Sequence, residues 1–328
     1  MRGFQTARFS TAAVLAVGLA AAGTVTPASA AQPAPTVIST ITLGPSGANI
    51  NPFAVAVDSS NHTVYTTDDN SDSVTVINGS SVSATVPLGA NADPFAIAAD
   101  PRSHNVYVTN PRYSTVSVIN GTSVIATLAV ASTPQGVAVD PGNGTVYVAN
   151  QGNGTLTVIN GTTVTGTIPV SSYPYGVAVD SSTHTVYVTD PLANTVSEID
   201  STTVTNTVPV SRQPYEVAVD PGTHTAYVTN YRDNSVTLIN GTTVTASVSV
   251  GNYPFWVAVD PGTHTAYVPN NGGSGTPTGT TVSVINGTSV TSTITVGNGP
   301  DGVAADPVTH KVYVANYSDN TVSVIKGH

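Results

Sequence analysis

The hydrophobic positions of this chain fall into one recurring line. Residues 214–230 read PYEVAVDPGTHTAYVTN, and residues 254–270, forty further on, read PFWVAVDPGTHTAYVPN. The line returns seven times, beginning at Pro52, Pro94, Pro134, Pro174, Pro214, Pro254 and Pro300. Each copy runs P-x-x-V-A-V-D, a turn, V-Y-V-T-N, a polar loop, T-V-S-V-I-N-G, and then T-T-V-T-x-T-I-x-V, with small substitutions. Short β-branched runs bounded by turn residues read as strands, so each copy predicts four of them. The first is apolar at consecutive positions (Val217, Ala218, Val219), the pattern of a strand buried on both faces. The third alternates, with Thr237 between Val236 and Leu238, which predicts a place nearer the rim.

Asn-Gly pairs at Asn78, Asn120, Asn160, Asn240 and Asn286 stand between the third and fourth strands and predict type I′ hairpins. They also spell N-G-[ST] sequons, but the turn accounts for them. Four-stranded antiparallel units of forty residues, repeated seven times, predict an all-β fold, the seven-bladed β-propeller. The chain ends support closure of the ring. The last copy stops after its third strand at TVSVIKGH, while TVISTITLG at 36–44 precedes the first copy and resembles the fourth-strand segment SVTSTITVG at 289–297. The N-terminal strand therefore completes the last blade, where a solenoid would leave two caps.

Tyr227-Val228-Thr229-Asn230 and Tyr107-Val108-Thr109-Asn110 spell YVTN. On these residues the chain resembles the YVTN-type seven-bladed propeller family of bacterial secreted and archaeal surface-layer proteins. The resemblance implies a binding or cell-surface module without a common catalytic motif. The motif departs at Thr66-Thr67-Asp68, Ala149-Asn150, Thr189-Asp190, Pro269-Asn270 and Ala315-Asn316.

Arg2 and Arg8 precede the apolar run TAAVLAVGLAAAG, which leads to Ala28-Ser29-Ala30. This is the pattern of a secretory signal peptide over 1–30, cleaved after Ala30, leaving a single propeller domain over 31–328 with no later membrane span. No cysteine is present, so disulfides play no part and a large core must hold the mature domain. Cleavage leaves six basic residues against eighteen acidic ones, a net charge of about −12. The six are scattered singly, without the basic stripe a nucleic-acid partner requires. A monomer, secreted or wall-associated and meeting protein or carbohydrate at the cell surface, is the expectation.

A residue present in every copy is architectural, whereas one that breaks the pattern needs another reason. His62, His104, His184, His224, His264 and His310 occupy one turn position, Gly144 replaces histidine in the third copy, and His328 is terminal. Each histidine is read as fastening its own turn, too far around the disc to share one metal ion. The Asp of VAVD (Asp58, Asp100, Asp140, Asp180, Asp220, Asp260 and Asp306) recurs in every copy as a turn-initiating cap. No G-x-S-x-G elbow, phosphate loop or zinc ligation pattern is present, so no catalytic residue, metal ligand or cofactor is assigned.

Asymmetry remains at one rim. The residues after each proline are Phe53, Phe95, Gln135, Tyr175, Tyr215, Phe255 and Asp301, read as wedges between blades. The next position is Ala or Gly except at Glu216 and Trp256, in adjacent copies, and Trp256 is the only tryptophan. Glu216 and Trp256, with Tyr173, Tyr175, Tyr215, Tyr253, Phe255, Asp301 and Arg212, form the candidate ligand surface for a carbohydrate or peptide. Two alternatives stand beside a binding scaffold. One is a metal-assisted lyase or lactonase using channel carboxylates, and the other a structural surface-layer protein. The Asp- and Asn-rich loops DDNSD, NYRDN and NYSDN lack the closing glutamate of a calcium loop and read as solvated turns. The longer loop NNGGSGTPTGT reads as a mobile tip.

Overall fold

The computed structural model describes residues 34–45, 48–273 and 279–327. The expected signal peptide, residues 274–278 of the glycine-rich tip in the sixth blade and His328 lie outside them. Seven four-stranded antiparallel sheets follow one another, each running outward in chain order from an innermost first strand. The fifth blade is representative, with strands Pro214–Asp220, Thr225–Asn230, Ser235–Asn240 and Thr243–Ser249. The last blade is the exception in order. Its outer strand, Thr36–Thr42, pairs antiparallel with Thr321–Lys326, Thr36 opposite Lys326 and Thr42 opposite Thr321. The N-terminal strand thus closes the ring.

Seven apolar cores lie between consecutive blades, one for each interface. Tyr187 and Val196 of the fourth blade, for example, pack with Val217, Ala226 and Val228 of the fifth. Closure is visible in the core that joins Ile41, Tyr313 and Val322 to Val55, Val64 and Ile77. A single sheet could not bury these faces alone, which is why the sequence repeats.

Burial within a blade departs from the pattern expectation in one respect. The third strand is buried on both faces: Thr237 and Val236 are equally inaccessible. The hydroxyl is tolerated because the asparagine of the YVTN motif bonds it, Asn230 Nδ2 donating to Thr237 Oγ1 at 2.8 Å. Asn316 does the same to Ser323 at 2.9 Å, and in the first blade Asp68 accepts from Thr75 at 2.7 Å. The threonine of the motif works one layer further in. Thr229 Oγ1 receives the Glu216 N–H at 3.1 Å and donates to the Phe255 carbonyl of the next blade at 2.8 Å. Where Ala149 replaces it, the Gly136 N–H reaches the Tyr175 carbonyl directly at 2.9 Å. Alternation in and out falls on the fourth, outer strand instead, as in Thr203–Pro209.

The hairpins also differ from expectation. Asn78 pairs with Ser81, so the two-residue loop is Gly79-Ser80, and the positive φ falls on Gly79 and not on Asn78. That is the φ pattern of a type II′ turn, in which glycine takes the first central position. Ser201 takes the same role in the fourth blade, at φ 57°.

The conserved-looking histidines do not fasten their own turns. Each stands at positive φ and reaches back to the buried aspartate of the preceding blade. His224 Nδ1 donates to Asp180 Oδ2 at 2.8 Å, His264 to Asp220 at 2.8 Å, and His62 closes the circle on Asp306 at 2.8 Å. The aspartate also caps its own turn, as Asp220 Oδ1 does for the Gly222 N–H at 3.0 Å. One carboxylate therefore ties a turn and two blades together. The belt has a single gap, at Gly144, where the preceding aspartate is Asp100. There Arg102 reaches across in the opposite direction and donates to the Gly142 carbonyl.

Three outcomes follow. A chain beginning at Ala48, lacking the closing strand, should melt well below the full domain in circular dichroism; an unchanged Tm would contradict the closure. Asp220→Ala should destabilise more than His264→Ala, which should cost about 1–3 kcal/mol, the loss of one bond to a buried group. Gly144→His has φ +79° and open space toward Asp100, whose Oδ2 lies 3.6 Å from the added Cβ. It should restore the missing pair, but a side chain at that φ is strained, so the gain of about 1 kcal/mol should be offset and Tm should move by less than about 2 °C.

Candidate functional site

The loops that join blades and the loops after each second strand share one end of the disc, because antiparallel strands alternate direction. At this end the residues after each proline converge on the axis. Phe53 lies 4.9 Å from Phe95 and 6.0 Å from Phe255, ring centre to ring centre. Phe95 lies 5.8 Å from Tyr175, and Tyr215 is 4.7 Å from Phe255. Phe95 and Phe255 belong to the second and sixth blades and still approach to 6.5 Å. Such contacts between non-adjacent blades are possible only across the channel. The aromatic column therefore plugs the axis rather than wedging between neighbouring sheets. Tilted and edge-on geometry is what ring quadrupoles favour.

Trp256 belongs to this plug. It lies 6.0 Å from Phe53, 6.3 Å from Phe95 and 5.9 Å from Phe255, and it packs on the cores between the first and second, the second and third, and the sixth and seventh blades. Its indole Nε1 is buried without a hydrogen-bond partner. Elsewhere the same position needs a small residue. A Cβ on Gly176 would stand 2.4 Å from the Tyr215 carbonyl, and one on Gly136 would stand 2.5 Å from that of Tyr175.

Glu216 turns the other way. Its carboxyl accepts the N–H groups of Val217, at 3.2 Å, and of Val177 in the preceding blade. The missing side chain of Gly176 makes room, since a Cβ there would lie 2.9 Å from Oε1. Burial pushes the Glu216 carboxyl up to about 8, against the opposing effect of those two N–H groups. Asp301 is also raised to about 8, first by burial, with Asp69 adding to it and the hydrogen bond from Asn271 at 3.1 Å opposing. Among the described residues, no hydrogen bond or ring contact joins Glu216 to Trp256. The two pattern-breaking residues share a register but make different contacts.

The remaining candidates divide. Tyr253, at φ +54°, stacks 4.9 Å from Tyr231, which in turn meets Tyr215 at 5.3 Å. Arg212 is committed to Asp233, with Nε at 2.7 Å and the backbone N–H at 2.7 Å, and its side chain points largely into solvent. That clasp shows what the Asp- and Asn-rich loops do. Asp72, Asn194, Asn234, Asp319 and Asn320 likewise accept backbone N–H groups of the adjoining blade-linking loop.

A cavity of about 380 Å³ opens on one side of the plug. Tyr173, Tyr175, Tyr215 and Phe95 supply its aromatic lining, with Gln135 and Gln151 contributing amides and Asp93 a carboxylate. Burial holds the Tyr175 phenol well above its usual value, with Tyr215 and Glu216 adding to the effect, so the ring remains neutral. Gln135, Gln151, Asp93 and Tyr231 are not in the sequence-derived set. Gln135 carried a signal, being the one amide in an otherwise largely aromatic column. The others sit in loops whose approach to the axis depends on the ring.

Fold and site together define a seven-bladed β-propeller with an aromatic-plugged channel. The chain matches no protein-family model, and no curated protein matches it. Similar solved structures are propellers. Virginiamycin B lyase from Staphylococcus aureus aligns at TM-score 0.74 and 12% identity, over 88% of this chain and 98% of that one. A catalytically inactive histidine-to-alanine variant of that lyase, with quinupristin, aligns at the same TM-score. Hydrazine synthase from Kuenenia stuttgartiensis gives 0.71 at 21% identity, over 86% and 99%. At these identities the likeness is one of fold.

The raised carboxyls set a pH dependence. Between about 4.5 and 8 the folded state keeps a proton on Glu216 that the unfolded chain has released, so stability declines as pH rises through that window. Glu216→Gln should flatten the decline of Tm between pH 5 and 8.5. Parallel profiles for parent and variant would show the carboxyl to be ionised in the folded protein.

Proposed function

We propose that this chain is a YVTN-type repeat propeller, exported to the cell surface, that acts as a binding scaffold and holds an oligosaccharide at the plugged end of its channel. The observation that carries the reading is the cavity beside the plug, where Tyr173, Tyr175 and Tyr215 surround amide and carboxylate groups. Flat apolar faces edged by a few polar groups suit sugar rings, which present C–H faces and equatorial hydroxyls. Phe255 packs on Tyr215, and Trp256 on Phe255, which keeps the aromatic faces rigid. Glu216 and Asp301 stand outside the cavity lining, as neutral carboxyls bonded to protein partners. Export is supported by the basic and apolar pattern of residues 1–30.

The enzyme alternative is less well supported. Six histidines stand at the opposite end, each engaged with a buried aspartate, so none faces the cavity. Among the described residues, no three His, Asp or Glu side chains are grouped to hold a metal ion.

A glycan array followed by calorimetry, with and without EDTA, tests the proposal. The protein should bind an oligosaccharide independently of EDTA, and Tyr173→Ala and Tyr215→Ala should each weaken binding at least tenfold, about 1.4 kcal/mol or more. Full affinity in both folded variants would place the ligand elsewhere, and binding abolished by EDTA would favour the metal-assisted alternative.

A further inference from the structure

The fourth blade breaks the repeat at a second place, away from the channel. On the third strand, one position is apolar in six blades: Val76, Val118, Val158, Leu238, Val284 and Val324. In the fourth blade it is Glu198. Its cross-strand partner is small in the neighbouring copies, with Val158 opposite Gly166 and Leu238 opposite Ala246. Opposite Glu198 stands Asn206. Both members of one pair have changed together, and the change introduces a carboxylate that is only 6% exposed.

The carboxylate is half satisfied. Asn206 Nδ2 donates to Oε2 at 3.3 Å, while Oε1 is buried and has no partner. Tyr187, directly opposite on the second strand, has a phenol pushed up to about 12 by burial, with Glu198 and Asp180 contributing. A buried carboxylate oxygen without a donor is costly, and removing it would only restore the sister pattern. Its retention is explained if the missing donor is supplied from outside the chain.

Two sister interfaces carry an open groove at the corresponding place. Between the first and second blades, Tyr65, Val76, Ser83 and His104 border an open groove of about 330 Å³. Between the fifth and sixth, Tyr227, Leu238, Thr245 and His264 border one of about 270 Å³. By the repeat register, Tyr187, Glu198, Thr205 and His224 hold the corresponding positions between blades four and five. No lysine or arginine stands at these positions, and His224 Nδ1 is committed to Asp180 at 2.8 Å. Burial raises the Glu198 carboxyl, with the Asn206 bond opposing, so the place is acidic, beside an aromatic ring, and lacking one N–H donor.

We propose that this groove is a binding site for a primary alkylammonium group, its N–H bonding Glu198 Oε1 and its charge resting beside the Tyr187 ring. An ammonium supplies both the charge and the donor that the carboxylate lacks, and a charge-assisted bond is the stronger kind. A neutral hydroxyl would supply only a donor. The site lies at the histidine end of the disc and is independent of the cavity beside the plug.

Butylammonium chloride is the probe, with sodium chloride at matched ionic strength as reference, read by calorimetry and by thermal shift at pH 7.5. The parent should bind it and gain Tm with concentration. Glu198→Gln should bind at least tenfold more weakly, and the double variant Glu198→Val with Asn206→Ala, which restores the sister pattern and should fold, should not respond. Tyr173→Ala should bind butylammonium as the parent does, which separates this site from the oligosaccharide one. Absence of a response beyond the salt reference, or an equal response in the double variant, would overturn the assignment.

Discussion

Each sheet of this protein has a face that its own strands cannot cover, and only the next sheet around the circle covers it. The seven inter-blade cores are thus a closed chain of dependencies, with no blade stable by virtue of its own burial. The polar groups follow the same rule. The aspartate ending each first strand would be an isolated buried charge if it served only its turn. Its second oxygen is instead used by a histidine from the following blade in six of the seven interfaces. Where histidine is absent, Arg102 bridges by another route.

Strict repetition also separates structure from function. Side chains that recur on every blade are occupied by the ring: histidine with aspartate, asparagine with serine or threonine, threonine with the neighbouring carbonyl. What is left for recognition are the places where one blade differs. At the axis, seven nominally equivalent positions are forced into one small space. Only there can residues of distant blades such as Phe95 and Phe255 meet. The aromatic plug is a consequence of symmetry filled with bulky groups, and its irregular members, Gln135 and Asp301, are what open a cavity on one side or place a carboxyl on the other.

The sequence made the ring legible because forty-residue periodicity, four apolar runs per copy and a displaced fourth-strand segment at 36–44 leave no other closed arrangement. It also marked the rim that carries the cavity, through the column that follows each proline. It did not show where side chains cross between blades. His224 and Asp180 are 44 positions apart, and nothing local distinguishes a histidine that bonds its own turn from one that bonds the previous blade's aspartate. Thr237 drew the third strand toward the rim because alternation cannot reveal that Asn230 is waiting to bond it. Glu216 and Trp256 stood out correctly as irregular, yet one turns toward the preceding blade and the other spans the axis. Side-chain direction within a crowded channel depends on all seven copies at once.

The way the ring is shut gives it a directional weakness. Thr36 and Lys326 face each other at one end of the final ladder, and Thr42 and Thr321 at the other. The polypeptide therefore leaves the folded body through two strand ends that sit side by side. Tension applied to those ends would load the ladder at its first pair and open it like a zipper, one hydrogen bond at a time, instead of straining all of them in parallel. A body held together by mutual burial in every other direction has one seam along which a small pull, rightly placed, is enough.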